Sequence, residues 1–315
     1  MKPYNQARTG IEELAKPDQI LVATDLEDCE FLLPYAVEQA KTCGAPLTLL
    51  HSLMNAGIPE FDTAGFAEVE RRAEEKMNKA VEKVRAEGVS CNSEISHTFF
   101  PEDTVPGAVR RIGAKRLIMA TRGRGRIGQI MLGSVAQRLL SVLDIPIFVV
   151  GPHVDAAPEH GHFSPKRILH PVSFAQGYHE SVEFARDVAE LYGAQLILSH
   201  VLDPDLADKV NPRKTEQWAK NALDEAISDR TTLRVPLLTH VDCGNVIDEI
   251  LHTAKVFRAD WIVLGAKVFA ETPIVANSIA YKLMAASKVP VLTLPHRIRR
   301  GAEKSTMEAV PVAAG

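Results

Sequence analysis

The chain has 315 residues, of which 46% are hydrophobic and 24% charged, and a formal net charge of −4. That length is about twice a common domain of ~100–150 residues, so two domains are expected, each large enough to bury a core without disulfide or metal staples. A mild negative charge gives no global attraction to nucleic acid or to an anionic membrane, so any site for a polyanion has to be local.

The first 17 residues, MKPYNQARTGIEELAKP, form an extension with no apolar stretch of the kind a secretory signal needs. Nowhere does the chain approach the ~18 uninterrupted apolar residues of a membrane span. The four cysteines, Cys29, Cys43, Cys91 and Cys243, contain no CxxC pair, which argues against a zinc ribbon, a thioredoxin-type motif or a secreted disulfide framework. A reducing cytoplasm is the expected compartment.

From residue 18 onward, short apolar, β-branched runs alternate with longer stretches of helical period, the pattern of βαβ units around a parallel sheet. Strands are expected near 20–24, 46–52, 93–98, 116–120 and 145–150, and helices near 28–43, 65–87, 103–112 and 132–142. Gly44 just past the first helix suits a left-handed C-cap, with Pro46 as a stop signal. Because the strands are nearly continuous apolar runs, helices should cover both faces of the sheet.

Residues 152–164 then form a linker within a stretch rich in Pro, Gly and His, and the pattern begins again. ILVATD at 20–25 returns as ILHPVS at 168–173, and YAVEQAKTCGAPLTLLHSL at 35–53 returns as FARDVAELYGAQLILSHVL at 184–202. AKRLIMATRG from 114 matches ADWIVLGAKV from 259, and IPIFVV from 145 matches VPVLTL from 289. The blocks keep their order, so a duplicated domain is the economical explanation. The expected organisation is one domain over 18–151, a second over 165–296 and a tail over 297–315 too poor in apolar residues to fold. Each domain should be a doubly wound five-stranded parallel α/β sheet. Its last strand is short, apolar and at an edge, which invites pairing of the two halves as a pseudo-dimer within the chain.

The stretch IMATRGRGRIGQIMLGSVAQRLL, 118–140, carries the most chemistry. A buried strand runs out at Ala120, a loop with Gly123, Gly125 and Gly128 follows, and Gly133-Ser134 opens the next helix. Glycines let backbone amides approach an anion, successive amides form an anion-binding nest, and a helix N-terminus adds unpaired N–H groups. Arg122, Arg124 and Arg126 supply positive charge, and Ser134 a hydroxyl.

On these residues the chain resembles a tandem member of the universal stress protein family, whose nucleotide-binding members carry G-x-x-G, nine residues, then G-[S/T] after the fourth strand. Gly123, the nine residues 124–132 and Gly133-Ser134 match that pattern, while Ala120 stands where its first glycine belongs. The resemblance implies an adenine nucleotide as ligand: ATP, with ADP or AMP as alternatives and Mg2+ as an accompanying ion. It also implies that Gly123, Gly133, Ser134 and Val135 face the phosphates, Met119 and Ala120 the ribose-phosphate side, and Ala23, Thr24 and Asp25 the adenosine portion, and Arg124 is a candidate phosphate contact by its charge. In the second half Gly265 keeps the first glycine, but Val268 and Asn277-Ser278 replace the rest and Ser173 stands for Asp25, so that half is expected to be nucleotide-free.

Other readings compete. GRGRIG at 123–128 fits G-x-G-x-x-G, yet a dinucleotide fingerprint belongs after the first strand rather than the fourth. Asp25 also suits a helix N-cap. His51 and His200 recur at one place in both halves, including the half expected to lack ligand, which favours a structural role. His160 and His162 form an H-x-H pair too sparse for a firm metal site. No catalytic residue is assigned. The functional expectation is a nucleotide-dependent regulatory protein with an unnamed protein partner, expected to homodimerise and to bind neither nucleic acid nor membrane; a nucleotide-independent scaffold and a slow ATPase are the alternatives.

Overall fold

Each apolar run becomes a strand, and its hydrogen bonds fix where the helices can lie. A computed structural model describes residues 11–54, 63–98, 101–121, 134–154, 162–174, 178–204, 212–227, 232–265 and 279–295. The first half contains β1 (Ile20–Ala23), α1 (Cys29–Cys43), β2 (Leu47–Met54), α2 (Thr63–Ala86), β3 (Cys91–Thr98), α3 (Pro101–Ile112), β4 (Arg116–Ala120), α4 (Ser134–Val142) and β5 (Ile147–Val150). The second contains β6 (Arg167–Pro171), α5 (Tyr178–Tyr192), β7 (Gln195–Leu202), α6 (Pro212–Glu225), β8 (Leu237–Cys243), α7 (Val246–Val256), β9 (Trp261–Leu264), α8 (Ile279–Ala286) and β10 (Val291–Thr293). The strands expected in the first half are all present. β3 starts two residues earlier than its apolar pattern suggests, because Cys91 and Asn92 pair with Leu47 and Thr48 of β2.

Within each half the strands are parallel, and the whole forms a ten-stranded sheet in the order β3-β2-β1-β4-β5-β10-β9-β6-β7-β8. The two halves join where β5 and β10 run antiparallel, with Phe148 opposite Leu292 and Ile147 opposite Thr293. The Thr293 hydroxyl adds a bond to Ile147 O at 3.3 Å. The anticipated pairing of the two last strands within one chain is thus present. Because the junction is antiparallel, the carboxyl ends of the first-half strands and those of the second-half strands lie at opposite ends of the sheet.

Helices cover both faces. Side chains of α1, α2, α5 and α6 pack into one apolar layer, and those of α3, α4, α7 and α8 into the other. The strands feed the layers alternately: Ile20 and Val22 point into the first and Leu21 into the second, as the two-residue period of a strand requires. Gly44 and Gly193 close α1 and α5 with φ of 69° and 63°, the left-handed conformation expected of C-cap glycines.

An aromatic chain bridges the junction. Phe163 meets Tyr35 edge-on at 4.9 Å, Tyr35 leans on Phe148 at 5.7 Å, Phe148 meets Trp261 at 4.8 Å and Trp261 meets Tyr192 at 4.8 Å. Phe148 is fully buried in the middle of this chain. Phe148→Ala leaves a cavity shared by both halves and should destabilise the protein by about 3–5 kcal/mol. Urea unfolding checks this, and a loss below about 1 kcal/mol would show that the halves do not depend on the ring.

Candidate functional site

At the end of β1, main-chain pairing gives way to side-chain bonding. Thr24 N–H still donates to Leu50 O at 3.0 Å. Beyond it, Leu26 N–H donates to Thr24 Oγ1 at 2.9 Å, and the amides of Glu27 and Asp28 donate to Asp25 Oδ1 at 2.9 and 3.0 Å. The Thr24 hydroxyl donates to Asp28 Oδ1 at 2.5 Å, and Cys29 Sγ lies 3.4 Å from Thr24 Oγ1. Short Thr and Asp side chains fold back on nearby amides in this way, which makes the segment a stiff loop. Leu26 is carried to φ 69°, a left-handed conformation that a leucine holds only where its surroundings impose it. From β2, His51 Nδ1–H donates to Thr24 O at 2.9 Å. Nδ1 carries the hydrogen because a carbonyl can only accept.

Asp25 is therefore a turn cap four residues ahead of Cys29, the first residue of α1. The residue that immediately precedes that helix is Asp28, whose side chain makes no cap bond. The Asp25 carboxylate is exposed at the carboxyl end of the sheet, beside Ala23 and Thr24.

Register brings in the other expected group. Ala23 lies opposite Met119 in adjacent β4, so Ala23, Thr24 and Asp25 stand side by side with Met119 and Ala120. Thr121 follows, its amide donating to Val150 O at 3.1 Å. Its hydroxyl is buried and has no partner among the described residues. α4 begins at Ser134, and Val135 packs half-buried against the apolar layer below. Gly123, Arg124 and Gly133 lie outside the described residues, as does the side chain of Ser134.

Sequence reading missed Asp28, Thr121 and the use of His51. Asp28 is buried at the mouth of this loop, and burial pushes its carboxyl up to about 6, with the Thr24 hydrogen bond opposing and the Asp25 charge adding to the rise. A buried carboxyl of raised pKa at the ligand end of a parallel sheet is the kind of group functional sites hold. The available signal was its spacing, four residues past Thr24 in a turn that needs side-chain acceptors.

The corresponding end of the second half is built differently. His170, in β6, is fully buried; its Nδ1–H donates to Val263 O at 2.8 Å and its Nε2 lies 3.2 Å from Ser181 Oγ on α5. Burial pulls this imidazole down to about 4, opposed by the bond to Val263. A side-chain carbon at Gly265 would come within 2.6 Å of Ser181 Cβ, so that glycine serves the close approach of α5 to β9. Phe174 sits among Tyr178, His200 and Trp218 with ring centroids 4.6–5.4 Å away, so rings occupy the space in front of β6 and β7. His200 Nδ1–H donates to Val172 O at 2.8 Å, repeating His51 in the other half. The repeated histidine holds the end of the first strand in both halves, a structural role.

The universal stress protein family model matches residues 17–151 and again residues 165–295. The chain belongs to the universal stress protein family. A curated universal stress protein of Mycolicibacterium smegmatis is 24% identical over 206 residues, 63% of this chain and 69% of that protein. Two solved structures share the fold across both halves. A universal stress protein from Archaeoglobus fulgidus superposes with a TM-score of 0.64 at 20% identity, covering 88% of this chain and 96% of that one. A functionally unknown protein from Pseudomonas aeruginosa PAO1 does so with a TM-score of 0.62 at 18% identity, covering 94% and 99%. The tandem arrangement of this universal stress protein is thus seen in chains of similar extent.

Asp28 and His170 pull stability in opposite directions. Asp28, raised from 3.8 to about 6, binds its proton more tightly in the folded state, so its ionisation opposes folding fully above about pH 6 and not below 3.8. His170, lowered from 6.5 to about 4, supports folding above 6.5 and loses that support as pH falls to about 4. Asp28→Asn keeps the acceptor for Thr24 and removes the charge. It should raise stability by up to ~3 kcal/mol near neutral pH, the gain vanishing near pH 4. The variant should also lose stability on acidification through His170. Urea midpoints at both pH values check this; equal midpoints for wild type and variant near neutrality would contradict it.

Proposed function

We propose that this universal stress protein holds one adenine nucleotide, ATP in the first instance, at the carboxyl end of the first-half sheet, and that the second half carries none. The supporting observation is the alignment of Ala23, Thr24 and Asp25 beside Met119 and Ala120, with α4 opening at Ser134, where the sequence pattern of Gly123, nine residues and Gly133-Ser134 ends. Open parallel sheets bind ligands at this end, and a glycine-rich loop leading into a helix N-terminus suits phosphate. In this reading Gly123, Arg124, Gly133, Ser134 and Val135 meet the phosphates. Asp25 accepts from the adenosine portion with the carboxylate oxygen that the turn leaves over. The buried Thr121 hydroxyl is a further donor at the start of the loop. ATP, ADP and AMP share the adenosine and the α-phosphate; Mg2+ would come with the triphosphate.

The second half supports a single site. His170, Ser181 and the Phe174 ring cluster occupy the corresponding end, and Gly265 is explained by helix packing. Binding alone is enough for a regulatory role, since a ligand that prefers one conformation shifts the population toward it and alters what a protein partner meets. Homodimerisation of the whole chain would use surfaces other than β5 and β10, which pair with one another. The free thiols suit a reducing cytoplasm, and among the described residues no helix is long and apolar enough to cross a membrane.

The test is a chain with Gly123→Val and Ser134→Ala together. Titration calorimetry with ATP should show affinity at least ~100-fold weaker, about 2.7 kcal/mol, with the unliganded melting temperature retained. Unchanged affinity, or no binding by the wild type, would favour the nucleotide-independent scaffold, for which Ala120 in place of the first glycine is the specific support.

A further inference from the structure

Where α1 of the first half meets the entry to β6 and the end of α5, the chain encloses a cavity of about 440 Å³. That size admits a small metabolite. Its wall is made by Glu38 of α1, by residues 162–166, and by Tyr192 and Gly193 at the end of α5. Contacts made elsewhere hold this wall in place. Phe163 is set edge-on against Tyr35 at 4.9 Å, and Pro165 is buried. The main chain of Lys166 is tied at both polar atoms: its amide donates to Asp260 Oδ2 at 2.7 Å and its carbonyl accepts from Gln195 N–H at 2.8 Å. Tyr192 packs on Trp261 at 4.8 Å, and its buried hydroxyl is met by the Arg116 guanidinium. A site whose walls are already ordered loses little freedom on binding.

Two opposite charges bound the cavity without neutralising each other. Glu38 is half-buried, and among the described residues its carboxylate receives one long bond, from the Thr42 hydroxyl at 3.4 Å. Its charge is felt at Tyr192, where burial pushes the phenol up and Glu38 adds to the rise. The Lys166 ammonium forms no ion pair among the described residues, and Asp260 Oδ2 takes the amides of Lys166 and Arg167 instead. The end of α5 adds to the negative side. A helix C-terminus carries about half a negative charge, and α5 has no basic residue in its last turn to answer it. Aromatic rings such as Phe163 and Tyr192 suit an ammonium group as well as an apolar chain. Glu38, the α5 terminus and the rings thus favour a cation, while Lys166 and the Ser164 hydroxyl favour a carboxylate, all within one cavity.

We propose that this cavity is a binding site for a small zwitterion, an α-amino acid with an apolar side chain, its ammonium group held by Glu38 and the end of α5 and its carboxylate by Lys166 and Ser164. The side chain lies against Phe163, Pro165 and Tyr192. Glu38 belongs to the first half and Lys166 and Tyr192 to the second, so the ligand ties the halves together. None of the wall residues belongs to β1, β4 or the phosphate loop, and the site does not depend on the nucleotide reading.

The experiment follows the melting temperature of the full chain at neutral pH during titration with L-leucine and with L-phenylalanine. Phenethylamine and 3-phenylpropionate, which each lack one of the two charges of phenylalanine, serve as controls. The site predicts a saturable rise of about 2 °C or more with at least one of the amino acids, and a smaller rise with either control. Glu38→Gln keeps the acceptor for Thr42 and removes the negative charge; Lys166→Gln removes the positive charge and leaves the main-chain bonds of that residue. Each should raise the half-saturating concentration roughly ten-fold or more, one 1.4 kcal/mol step in affinity. Lys166 is exposed, so Lys166→Gln decides the matter should Glu38→Gln fail to fold. Absence of a saturable rise with both amino acids, or the same half-saturation in the variant chains, overturns the proposal. So does a control that matches the amino acid, since one charge is then enough.

Discussion

β5 and β10 have four and three residues, are buried on both faces, and would each leave a row of backbone donors and acceptors unpaired at the edge of a five-stranded sheet. An apolar edge of that kind has to be covered. Pairing the two strands covers both edges at once and makes the rest of the architecture follow. The sheet becomes continuous, the helices of the two halves merge into two common layers, and Phe148 meets Trp261 across the seam. Because the pairing is antiparallel, the two carboxyl ends face away from each other, so the ends can differ in their side chains without disturbing one another.

The divergence of the duplicated halves follows that freedom. At the first-strand end, the first half keeps a loop with a leucine at positive φ and a buried carboxyl beside an exposed one, a group of features that oppose stability. In the second half, the place of Val22 is taken by His170. Ser181 is the fourth residue of α5, where Leu32 is the fourth of α1, and these two polar groups contact each other. The second half has exchanged an open end for a bonded interior. A similar exchange separates Arg116 from Trp261, the first residues of β4 and β9. Both are fully buried, one as a cation bonded to Gln39 and to main-chain carbonyls and the other as a ring set edge-on between Phe148 and Tyr192.

Much of this was legible in the sequence. Strands announced themselves because both faces are covered, so ILVA, RLIMA and IFVV read as unbroken apolar runs, and the repeat of IPIFVV in VPVLTL pointed to the seam. The family resemblance assigned Ala23 and Met119 to one ligand, and the register of β1 and β4 sets them opposite each other. Side-chain burial was harder to read. Arg116 looks like a solvent-facing start to a strand, and its burial depends on residues 11–15, which a reading by domains had set apart as an extension. Asp28 looks like an ordinary turn residue until Thr24 and the helix enclose it. Gly265 looks like a remnant of a phosphate loop, whereas the space beside it is taken by Ser181. For Arg116 and Gly265 the deciding contact comes from a distant segment, and for Asp28 it comes from side chains folding back within one turn.

The central claim is one nucleotide site in a chain built from two similar halves. The most direct measurement is to denature freshly purified protein and quantify any released nucleotide by anion exchange. The account predicts close to one adenine nucleotide per chain. Two per chain would contradict the view that the second half is filled by its own side chains, and none, with no binding of added ATP, would contradict the site itself.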